Sequence, residues 1–78
     1  MSVSELDRGI EDGVRWARAH GADRARLGRI VRAHTPAEVV ALVEQAGETP
    51  ADAADTAAYW SGFAHGVGRI IRETAVSP

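Results

Sequence analysis

Three histidines, a few helical carboxylates and four serines are the residues of this 78-residue sequence that could carry chemistry. His20, His34 and His65 stand far apart. None lies three or four residues from another, and none completes an ExxH pair, so the helical metal-ligand pattern is missing. Asp7 with Glu11, and Asp52 with Asp55, share helical sides and could in principle do acid–base work. Carboxylates at such spacing ordinarily form a solvated face. Ser61 precedes Gly62, but inside a helical pattern it lacks the strand–turn–helix setting of a nucleophile elbow. The Gly66–Val67–Gly68 run likewise lacks the strand and loop that a phosphate cradle needs. The reading is non-enzymatic, with no catalytic residue, no metal and no cofactor.

Composition narrows the classes further. There is no cysteine, which excludes disulfides, thiolate zinc, iron–sulfur clusters and a cysteine nucleophile. All nine basic residues are arginine, as a GC-rich genome favours, so no lysine can form a Schiff base or serve a P-loop. The opening MSVSELDRGIED is too polar for a secretory signal, and no apolar run reaches the ~20 residues of a membrane span. A cytoplasmic protein without membrane contact is expected.

The net charge of −2 is unevenly spread. Residues 1–14 set one arginine against four carboxylates. Residues 15–34 set six arginines against Asp23. Residues 35–78 return to acid, with two arginines against six carboxylates. A basic middle between acidic ends suits either self-complementarity or an anionic partner. Arg26, Arg29 and Arg32 are the candidate anion-binding face, and through them a nucleic-acid-associated regulator is the alternative reading. Against it, the helix after them offers Glu38, Glu44 and Gln45 and no arginine.

The elements that must position these residues are helices. The expectation is one all-α domain over residues 1–78, a small four-helix, bundle-like arrangement with short loops and a long C-terminal helix. The first helix runs from about Ser4, its cap, to His20, with Gly21 beyond it. Val3, Leu6, Ile10, Val14 and Ala17 recur on one side and predict its core face. The second spans about Arg24–Ala33 behind Asp23, with Leu27, Ile30, Val31 and His34 on its inner side. The third opens on TPAE, with Thr35 as cap, Pro36 first and Glu38 third, and closes at Gly47. TPAD predicts a fourth from Thr49 to about Thr74, with Asp52 in the third position. Its broad apolar side holds Tyr59, Trp60, Phe63, Ala64, Val67, Ile70 and Ile71.

Glycine inside a helix costs about 1 kcal/mol against alanine, yet Tyr59–Ile71 contains three. Ala54, Ala58, Gly62 and Gly66 are four apart, with His65 beside them. Gly9, Gly13 and Ala17 repeat the spacing in the first helix, beside Trp16. Small residues at this spacing let another backbone come close, and the dispersion recovered offsets their cost. Two arrangements satisfy the pattern: the rows meet within one chain, or they meet a second subunit. Gly9, Gly13, Trp16, Ala54, Ala58, Gly62, His65 and Gly66 are thus the candidate interface. The functional expectation is a small interaction or regulatory protein that self-associates through these small-residue faces of the first and fourth helices, as a homo-oligomer, or else binds a protein partner.

Overall fold

The computed structural model describes residues 4–21, 23–50, 53–54 and 56–76, the side chains of 74–76 excepted. Four helices pack against one another with no strand among the described residues: α1 (Glu5–Ala19), α2 (Arg24–Val31), α3 (Pro36–Gln45) and α4 (Ala57–Val76). Val3, Asp52 and Asp55, named above from the sequence, and Ser2 and Ser77 of the four serines lie outside the described residues.

Local chemistry sets most helix starts. The Ser4 hydroxyl accepts from the Asp7 amide at 3.1 Å, the Asp23 carboxylate from the Arg26 amide at 3.2 Å, and the Thr35 hydroxyl from the Glu38 amide at 3.3 Å. Glu38 reaches back to accept from the His34 amide at 3.0 Å, closing a reciprocal cap around Pro36. Gly47 ends α3 in the left-handed region, φ 83°, where a side chain would be strained.

The fourth helix departs from expectation. It begins at Ala57, not at Pro50, and Thr56 is its cap, accepting from the Tyr59 amide at 3.2 Å. The residues before it are held elsewhere. The Trp16 indole donates to the Glu48 carbonyl at 2.8 Å, and His20 faces the Glu48 carboxylate at 3.0 Å. These contacts hold Glu48 against α1, and Pro50 instead closes a turn in which its carbonyl accepts from the Ala53 amide at 3.2 Å. The connection from α3 to α4 is therefore longer than the short loops expected.

α4 is the hub, touching α1, α2 and α3. Its Tyr59, Trp60, Phe63, Val67 and Ile70 form the core with Trp16 and Ala17 of α1, Leu27 and Ile30 of α2, and Val39 and Val43 of α3. Val31 and His34, placed inward from the sequence, are exposed. Tyr59 is wholly buried, and its hydroxyl donates to Asp12 at 2.5 Å, so this buried polar atom is satisfied.

Candidate functional site

The glycine rows meet each other inside the chain. A Cβ on Gly9 would fall onto the Tyr59 carbonyl oxygen, and one on Gly13 onto that of Phe63. In return, a Cβ on Gly62 would fall onto the Leu6 carbonyl oxygen, and one on Gly66 onto that of Ile10. Residue numbers rise together on both helices, so α1 and α4 run parallel. Each glycine aims a Cα hydrogen at a carbonyl across the seam, a weak contact worth about 0.5–1 kcal/mol. Four such contacts, with the dispersion of two touching backbones, offset the helix cost of the glycines.

This places the candidate interface residues one by one. Gly9, Gly13, Gly62 and Gly66 are buried in the α1–α4 crossing. Trp16 is buried beside it, stacked on His20 at 4.1 Å. Ala54 precedes α4 and so falls off the helical row. Ala58 and His65 remain exposed, on the outer side of α4 with Ser61, Arg69 and Arg72.

Turning the glycines inward rotates α1 away from its expected face. Its buried residues are Gly9, Gly13, Trp16 and Ala17. Leu6, Ile10 and Val14, read from the sequence as core, stand instead at the rim. Leu6 is 45% exposed, and Ile10 and Val14 are half-buried. Ile10 and Val14 floor an open groove of about 430 Å³ between α1 and α4, lined also by Glu11, Arg15, Arg18, Arg69 and Glu73. The groove joins an aliphatic edge to three guanidinium groups from two helices. Sequence periodicity missed it because it credits apolar side chains to the core and gives glycine no weight. The signal that could have found it was the glycine spacing itself, once assigned to the seam within the chain.

The arginine face on α2 is only partly assembled. Arg26 folds onto its own cap, Nε 3.0 Å from Asp23, with one terminal nitrogen buried. Arg29 and Arg32 are exposed and share a shallow groove with Glu38, Ala33, Ala41, Leu42 and Gln45. Arg32 also donates to the Gly28 carbonyl at 3.3 Å. The three histidines are not gathered, and no group of three His, Cys, Asp or Glu among the described residues could hold a metal ion. No helix among them is long and apolar enough to cross a membrane. Comparison with known proteins gives no match: no family model fits the sequence, and no curated protein or solved structure is similar to it.

Proposed function

We propose that this chain is a small non-enzymatic protein-interaction domain whose working surface is the rim of the α1–α4 pair. The observation that carries this reading is the row Leu6, Ile10, Val14. With glycines in the seam, Leu6 is left exposed at helical spacing from the half-buried Ile10 and Val14, the last of which also touches the edge of the core. Apolar side chains grouped at a surface and edged by charge are the usual composition of a protein contact. Ala58 and His65 of α4 are exposed as well.

A photo-crosslinking residue at position 6 tests this, with the same residue at the exposed Ala37 of α3 as control. The expected result is one discrete protein adduct from position 6 and none from position 37. No adduct from position 6 removes the reading.

The arginines of α2 support a second reading, a nucleic-acid-associated regulator, because Arg29 and Arg32 line one open groove. Binding there would be weak and strongly salt-dependent, and no affinity for duplex or single-stranded probes at ~50 mM salt eliminates it.

A further inference from the structure

We infer that the partner seated on the α1–α4 rim is a second copy of this chain, packed across a two-fold axis with the two α1 helices antiparallel. This rests on the interaction reading above and names its partner. The argument is the order of charge along the rim. Asp7 and Glu11 lie toward the N-terminal end of α1, and both are exposed. Arg15 and Arg18 lie toward its C-terminal end, exposed as well, and Arg69 of α4 joins them in the same groove. Between and beside these ends runs the aliphatic row.

A surface that is acidic at one end, apolar along its length and basic at the other is complementary to itself turned through 180°. That is the requirement of an isologous contact. One register satisfies all three features together. Setting Ile10 of one copy beside Val14 of the other brings Asp7 within about one residue of the position opposite Arg18, and Glu11 within about two of that opposite Arg15, offsets of about 1.5 and 3 Å that these long side chains span. Symmetry doubles each pair. Leu6 then covers the aliphatic stem of the partner's Arg18, a contact that long cationic side chains make readily.

Within one chain Glu11 and Arg15, four residues apart on α1, are near enough to pair with each other, but Asp7 and Arg18 are not. Asp7 and Arg18 are separated by about 16 Å along the helix at 1.5 Å per residue. Arg15 approaches Asp12 only at 3.8 Å and keeps 80% of its side chain exposed. Glu73, at the basic end, already has an interaction partner. Exposed pairs of this kind steer and register an association more than they tighten it, so the dimer should be weakened by salt.

Sedimentation equilibrium on the full chain decides the matter, using wild type, Arg18→Glu, and the charge swap Asp7→Arg with Arg18→Glu. Circular dichroism confirms that each variant is folded. The expected pattern is a wild-type dimer that loosens as salt rises, a dissociation constant raised at least about tenfold by Arg18→Glu, and recovery in the double variant. Recovery cannot come from within one chain, given the separation of the two positions. A wild type that stays monomeric at millimolar concentration overturns the inference, and so does a dimer indifferent to Arg18→Glu. A monomer whose position-6 adduct exceeds twice the mass of the chain leaves the interaction reading standing and removes only the self-pairing.

Discussion

Not all glycines in this chain carry the same burden, and substitution separates them. At Gly9, Gly13, Gly62 and Gly66 a methyl group would collide with backbone atoms of the facing helix, which cannot swing aside as a side chain can. Alanine at any of these four should therefore force the helices apart and cost about 2–3 kcal/mol or more, despite its better helix propensity. At Gly28 the nearest atom is the end of the flexible Arg32 side chain, at 3.6 Å. At Gly68 it is Val31 Cγ2, also at ordinary contact distance, 3.7 Å. Alanine at these two should stabilise by about 0.5–1 kcal/mol, because the propensity gain meets no obstacle. Chemical denaturation of the six single variants checks both signs. Uniform stabilisation would mean that the seam is not as close as described. At the same scale, Tyr59→Phe removes the donor to Asp12 while keeping the ring in the core. A loss of about 1.5–3 kcal/mol is expected, the range for a hydrogen bond to a charged group.

The elements show where sequence is sufficient and where it is not. Ser4, Asp23 and Thr35 were legible as caps because each satisfies orphan amides within three residues of itself, with no help from the rest of the fold. Thr49 has the same side chain and the same following proline as Thr35, yet it starts no helix. The difference is Glu48, whose carbonyl is engaged by Trp16 of α1 and whose carboxylate faces His20, the residue that caps that helix. No local pattern announces a contact between residues 16 and 48. The apolar face of α4 was readable because large side chains dominate it. The face of α1 was not, since its seam is backbone packed on backbone at glycines, which have no side chain to mark it. A cap test distinguishes the two threonines. Thr56→Ala should cost about 1 kcal/mol, while Thr49→Ala, at an exposed position outside any helix, should fall within about 0.5 kcal/mol of wild type. Equal and large losses at both would put the start of α4 back at Thr49.

Across the whole molecule, stability should be layered around α4. Among the described residues α4 contributes five buried side chains to the core, is contacted by every other helix, and shares with α1 a seam in which backbone lies on backbone. α3 holds on by far less: Val39 and Val43 are its only fully buried side chains, with Val40, Leu42 and Ala46 partly covered. Full burial of a valine is worth about 1.5–3 kcal/mol, so lifting α3 away forfeits only a few such contributions. Opening α4 requires dismantling the core from all sides. Native-state hydrogen exchange should then find the slowest amides between Tyr59 and Ile70, opening only with global unfolding. The amides of Val40–Gln45 should exchange through a partial opening of lower free energy, with a smaller dependence on denaturant because less surface is exposed. Identical free energies and denaturant slopes in α3 and α4 would show a single cooperative unit and refute this layering. The distinction bears on the proposed interface, because the rim of α1 and α4 belongs to the most persistent part of the fold. A surface that remains formed while α3 opens is a preorganised one, and binding to it does not carry the cost of ordering either helix.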